Sequence, residues 1–105
     1  MVKEQGLIAM DVLESAAAVM RVLAHPHRLR ICELLLAGKV SVGELAAQLS
    51  MAQNCVSQHL AIMRAHGIVS GTRDGKTVYY HVVHPGAEWL LSCIRRHTQP
   101  DVGRR

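Results

Sequence analysis

The stretch SVGELAAQLSMAQNCVSQHLAIMRAHGIVSGTRDGKTVYYH, residues Ser41 to His81, decides the fold of this chain. Its first half predicts two short helices that are separated by a tight turn. Its second half contains two β-rich runs, Ile68 to Arg73 and Thr77 to Val82, on either side of the hairpin-turn signal Asp74-Gly75. This order of elements predicts a helix-turn-helix followed by a β-hairpin, which we call the wing.

The second helix of this stretch, Gln53 to His66, has one apolar and one polar face, and we call it the recognition helix. Val56, Leu60 and Met63 recur at helical spacing and form the packing stripe. Side chains off this stripe are of the kind that hydrogen-bond base edges and phosphates in a DNA major groove, and the positive end of a helix favours phosphate. The candidate DNA-binding residues of this helix are Gln53, Asn54, Ser57, Gln58, His59 and Arg64. The alternative is an ordinary solvated helix surface.

The segments around the recognition helix favour the DNA-binding interpretation. Ser41 and Glu44 have the spacing of a capping box and predict the start of the preceding helix. Gly67 is placed to end the recognition helix, as glycine commonly does. Arg73 and Lys76 fall at the tip of the wing, where a basic side chain can contact the phosphate backbone or enter the minor groove.

Composition predicts a single small domain and excludes several classes of protein. The chain has 105 residues, of which 50% are hydrophobic, and its formal net charge is +4. We expect a winged helix-turn-helix domain over 11–97, a flexible arm over 1–10 and a disordered basic tail over 98–105. No apolar run is long enough for a membrane span, no secretory leader is visible, and three widely spaced cysteines indicate thiols in a reducing cytoplasm. No arrangement of catalytic residues is visible, so we do not expect an enzyme.

The helices outside the central stretch predict how the domain is completed. Asp11 to Leu23 carries a broader apolar face than one small core needs, which suggests a contact between subunits. His27 to Leu36 is expected to pack through Leu29, Cys32 and Leu36, with Arg28 and Arg30 on its outer side. The last helix is expected to start at His84-Pro85.

Four segments together resemble the ArsR family of winged-helix repressors. They are VLAHPHRLRICELLL at Val22 to Leu36, SVGELAAQLS at Ser41 to Ser50, VSQHLAIMRAHGIV at Val56 to Val69, and RDGKTVYYHV at Arg73 to Val82. The resemblance implies a homodimer that joins through its first and last helices and binds double-stranded operator DNA. It also implies release of that DNA by a metal ion or a redox signal. One departure is Ala52, which stands where the family usually has a serine that caps the recognition helix.

Cysteines are the first candidates for a sensing site. The redox type of the family pairs a cysteine in the second helix with one in the last helix, and Cys32 and Cys93 lie in those two helices. They match by helix and not by residue, and small buried hydrophobic side chains are the alternative interpretation. Cys55 lies near the start of the recognition helix, where oxidation could block DNA directly.

Metal sites of the family are matched poorly. Ser41 and Gly43 stand where the thiol-rich type has cysteines. His84 and His97 are the only ligands at the four positions of the zinc or nickel type, which is too few for a divalent ion. No cofactor is therefore predicted. The other histidines considered, His25, His27, His59 and His66, are interpreted as polar groups of a turn or of a helix surface.

These observations predict a homodimeric repressor that binds an inverted-repeat operator and is released by thiol oxidation or persulfidation. A metal-responsive repressor of the same fold is one alternative. A module that binds metal or protein and not DNA is another, because a fold does not dictate a function.

Overall fold

The computed structural model describes residues 6–98, which form five helices and a two-stranded antiparallel sheet. The helices are α1 (Met10–Leu23), α2 (Pro26–Ala37), α3 (Val42–Leu49), α4 (Gln53–Ala65) and α5 (Pro85–Thr98). The strands β1 (Val69–Asp74) and β2 (Thr77–Val82) lie between α4 and α5. The mainly α fold with a small hairpin is confirmed. Residues 1–5 of the predicted arm and 99–105 of the predicted tail lie outside the described residues. Met10, expected in the arm, already belongs to α1, and Thr98, expected in the tail, still belongs to α5.

The ends of α3 and α4 follow the local sequence. Ser41 Oγ accepts from the backbone N–H of Glu44 at 3.1 Å, and Glu44 Oε1 accepts from the N–H of Ser41 at 2.8 Å. This is the predicted capping box. Ser50 ends α3 in the left-handed conformation with φ of 53°. Ala52 precedes α4 and makes no side-chain cap, as expected for alanine.

The wing is the hairpin of β1 and β2, and its register runs from Val69 opposite Val82 to Asp74 opposite Thr77. Gly67 leads into β1 with φ of 71°, and Gly75 makes the hairpin turn with φ of 66°. Both values lie in the region that favours glycine. Ser41 also forms an isolated bridge to Tyr79 of β2, so the start of α3 is held against the wing.

A single apolar core joins the helices to the base of the wing. Its buried residues are Val22, Leu23, Ile31, Cys32, Leu35, Leu45, Ala46, Val56, Leu60, Met63, Ile68, Val69, Ala87 and Leu91. In α2 the prediction was partly wrong, because Leu36 is 40% exposed while Ile31 and Leu35 are buried. The reason is that α2 contacts α1, α3, α5 and β2, so tertiary packing selects the buried side of a helix that is apolar on several sides.

The outer face of α1 remains uncovered within one chain. Only Val22 and Leu23 of this helix are buried, whereas Leu13 and Met20 are 42% and 56% exposed. Trp89 of α5 is 68% exposed and, with Met20, lines an apolar groove of about 180 Å³ between the two helices. The excess apolar face expected from the sequence is therefore present. Within residues 6–98, every helix is too short or too polar to cross a bilayer.

Candidate nucleic-acid interface

The recognition helix, α4, separates its packing side from its polar side. Val56, Leu60 and Met63 are buried against the core. At about 100° per residue, the polar candidates other than His59 fall within an arc of about 140° that begins at one edge of this packing stripe. All of them are exposed: Gln53, Asn54, Ser57, Gln58 and Arg64. This strip of amides, a hydroxyl and a guanidinium can donate to and accept from base edges and phosphates.

His59 lies apart from that strip, on the other flank of the packing stripe. Its Nδ1 accepts from Arg28 Nε at 3.1 Å, and its ring meets the His25 ring edge-on with centroids 4.8 Å apart. Partial burial lowers the pKa of His59, and the nearby His25, Arg28 and His27 lower it further. His59 therefore contacts the start of α2, where it helps to orient α4.

Arg28 makes a connection that the sequence did not indicate. It was expected on the outer side of α2, but it is half-buried and links three segments of the chain. Besides its bond to His59, its Nη1 donates to the carbonyl of Val22 at 3.2 Å. The expectation was wrong because His59 lies 31 positions along the chain, beyond the reach of any local pattern.

The wing tip presents positive charge. Arg73 and Lys76 are exposed at the end of the hairpin. Lys39 reaches the same region, where its Nζ lies 3.4 Å from Asp74 Oδ2 and 4.5 Å from the Tyr79 ring centroid. Within residues 6–98, Arg73 and Lys76 make no ion pair with a carboxylate. Their charges are thus available to phosphate.

The three cysteines have different surroundings. Cys32 is fully buried, and burial raises the pKa of its thiol to about 11. Cys93 is half-buried on α5, with its Sγ 3.7 Å from His97 Nδ1. Cys55 is exposed on the recognition helix. Because the thiolate is the reactive form, Cys32 is the least suited of the three to thiol exchange near neutral pH.

The two weak metal candidates lie at opposite ends of α5. His84 Nδ1 accepts from the N–H of Gly86 at 2.9 Å and caps the start of the helix. His97 Nδ1 donates to the carbonyl of Cys93 at 2.9 Å in the last turn. At 1.5 Å per residue, the two are separated by about 20 Å, so one protomer does not bring them to the same ion.

Comparison with known proteins connects this geometry to a family. A family model described as a helix-turn-helix domain matches residues 23–72. The chain is 37% identical over 93 residues to the biofilm growth-associated repressor of Agrobacterium fabrum, covering 85% of this chain and 80% of that protein.

Solved structures agree over most of the chain. NolR from Sinorhizobium fredii superposes with a TM-score of 0.80 at 28% identity, covering 96% of this chain and 98% of that one. The homodimeric winged helix-turn-helix DNA-binding domain of Mb0332 from Mycobacterium bovis, described as a possible ArsR-family regulator, gives a TM-score of 0.74 at 26% identity. That match covers 86% of this chain and 87% of the other. With its capped helix-turn-helix, polar recognition helix and basic wing, the chain belongs to the ArsR family of winged-helix transcriptional regulators.

Proposed function

We propose that this protein is a homodimeric repressor that binds an inverted-repeat operator. Each recognition helix enters a major groove, and each wing tip contacts the adjacent phosphate backbone. The observation that carries the proposal is the exposed polar strip of α4 beside the cationic wing tip. Two copies related by a two-fold axis would present their recognition helices about 34 Å apart, one turn of B-form DNA.

The uncovered face of α1 supports the dimer. Leu13 and Met20 are seven positions apart and so share one side of the helix. Met20 also lines, together with Trp89 of α5, the apolar groove between the two helices, so the exposed apolar face of α1 extends into that groove. Such a surface marks a site of association in a small protein. A second copy of this chain is the occupant we propose, in keeping with the homodimeric relative from Mycobacterium bovis.

Two substitutions separate base recognition from phosphate contact. Gln58→Ala removes an exposed amide of α4 from each of the two protomers of the dimer. We expect affinity for a selected operator duplex to fall about 30-fold or more, with little change for random duplex DNA. Arg73→Ala should weaken binding to both duplexes and make the slope of log affinity against log salt shallower by about 2.

Arg30→Ala is the matched control, because Arg30 is an exposed arginine on α2 that pairs with Glu33 of the same helix at 3.2 Å. Fluorescence anisotropy at several salt concentrations measures all three variants. Unchanged operator affinity in both Gln58→Ala and Arg73→Ala would contradict the proposed geometry.

For release by thiol chemistry, the surroundings of the cysteines support Cys55 over a bridge from Cys32 to Cys93. Cys55 is exposed on the recognition helix, so an adduct there would change the surface offered to DNA. Cys32 would have to leave the core and lose its proton before it could react, and its raised pKa opposes the second step.

A further inference from the structure

Three histidines from two separate segments meet beside the recognition helix. His25 precedes α2, His27 lies in its first turn, and His59 lies on α4. One ring nitrogen from each lies within 4.8 Å of the other two. The ring centroids are 4.8 Å apart for His25 and His59, 5.6 Å for His25 and His27, and 6.2 Å for His27 and His59.

We propose that His25, His27 and His59 bind one divalent transition-metal ion of the Zn²⁺ class and thereby fasten the start of α2 to the recognition helix. Imidazole nitrogen is a preferred ligand of these ions. Zinc lies about 2.0–2.1 Å from such nitrogens, so three tetrahedral ligands are about 3.3 Å from one another. Three protein ligands leave the fourth position to water, as is common for zinc sites that are open to solvent.

The cluster can contract to that geometry at small cost. His27 is exposed, so its ring can turn toward the other two without disturbing the core. His25 Nδ1 already accepts from the backbone N–H of His27 at 3.3 Å, so Nε2 is the nitrogen that remains for a metal. The hydrogen bond that caps α2 is therefore compatible with the bound ion.

Arg28 competes with the metal for His59. While His59 Nδ1 accepts from Arg28 Nε at 3.1 Å, a neutral ring carries its proton on Nε2. A metal bound at Nδ1 of His59 displaces the Arg28 guanidinium directly. A metal bound at Nε2 leaves the ring proton on Nδ1, so Nδ1 becomes a donor and can no longer accept from Arg28. Metal binding and the bond from Arg28 to His59 are thus mutually exclusive.

The electrostatic surroundings have two opposite effects on the ion. The lowered pKa of His59 favours the neutral ring, which is the form that ligates metals. The permanent charge of Arg28 repels a cation. Removal of the Arg28 charge should therefore strengthen metal binding. This response distinguishes a site next to Arg28 from a loose group of surface histidines.

The test uses the untagged full chain without DNA, so its outcome is independent of the proposed operator binding. We expect calorimetry with Zn²⁺ to give one tight ion per protomer and Co²⁺ to give the absorption of a tetrahedral complex. His27→Gln, which removes an exposed ligand, should weaken Zn²⁺ binding by about tenfold or more. His66→Gln is the matched control, because His66 is an exposed histidine that directly follows α4 and lies outside the cluster.

Equal Zn²⁺ affinity in the wild type and His27→Gln would overturn the site. His25→Asn adds a second ligand variant, because asparagine keeps a side-chain acceptor at the start of α2. Arg28→Gln should bind Zn²⁺ more tightly than the wild type, and unchanged or weaker binding would overturn the competition between Arg28 and the metal. Circular dichroism confirms that each variant is folded before the metal is added.

Discussion

Replacing Leu60 by alanine is expected to lower the free energy of unfolding by about 2–5 kcal/mol, a large share of the roughly 5–15 kcal/mol that holds a small domain together. Leu60 is 1% exposed and packs α4 against the core. The loss combines the transfer of buried methyl groups to water with the cavity that remains. Chemical denaturation, monitored by circular dichroism, measures this loss of stability as a shift of the denaturant midpoint.

Gln58→Ala, two positions away on the same helix, is the control. The Gln58 side chain is exposed, and alanine is a good helix former. The free energy of unfolding of the variant should therefore stay within about 0.5 kcal/mol of the wild-type value. The pair thus separates the two sides of α4: Leu60→Ala loses stability, whereas Gln58→Ala loses operator affinity. Equal stability of the two variants would contradict the placement of Leu60 in the core.

A glutamate in place of Met20 is expected to convert the dimer into monomers. Met20 is 56% exposed on α1, so the substitution leaves the protomer core intact, but a dimer would bury the new charge without a partner. Each monomer would then bind its half-site independently of the other. Because the gain from bivalent binding is lost, operator affinity should fall by about 10²- to 10⁴-fold. Analytical ultracentrifugation and anisotropy measure the two effects on the same sample.

Leu36→Glu is the matched control for the dimer, since Leu36 is 40% exposed on α2 and does not line the apolar groove between α1 and α5. It should remain dimeric and retain operator binding. A Met20→Glu protein that stays dimeric with unchanged affinity would show that the α1 face is not the contact between protomers.

Sequence reasoning succeeded where the structural signal is local. The capping box at Ser41 and Glu44, the turn at Gly75 and the end of α4 before Gly67 each depend on neighbours within a few residues. Periodicity was sufficient for the packing stripe of α4, because Val56, Leu60 and Met63 recur on one side of the helix and are buried. The exposed face of α1 followed in the same way, since it exceeds what one chain can cover.

The failures concern contacts between distant segments. In α2, apolar residues lie on several sides, so periodicity could not decide between Leu35 and Leu36, and packing against β2 and α5 made the choice. The contacts of Arg28 and the three-histidine cluster were missed because their parts come from separate segments of the chain, and only folding brings them together. His59 was predicted to contact DNA from its position on α4, and the sequence did not indicate its hydrogen bond with Arg28 of α2.

The most direct test of operator binding is selection of the wild-type protein's preferred sites from a pool of random duplex DNA. We expect an inverted repeat whose half-site centres lie about 10 base pairs apart, the spacing of two recognition helices in successive major grooves. Recovery of no common sequence, or of a single half-site without two-fold symmetry, would contradict a dimer that reads DNA through α4.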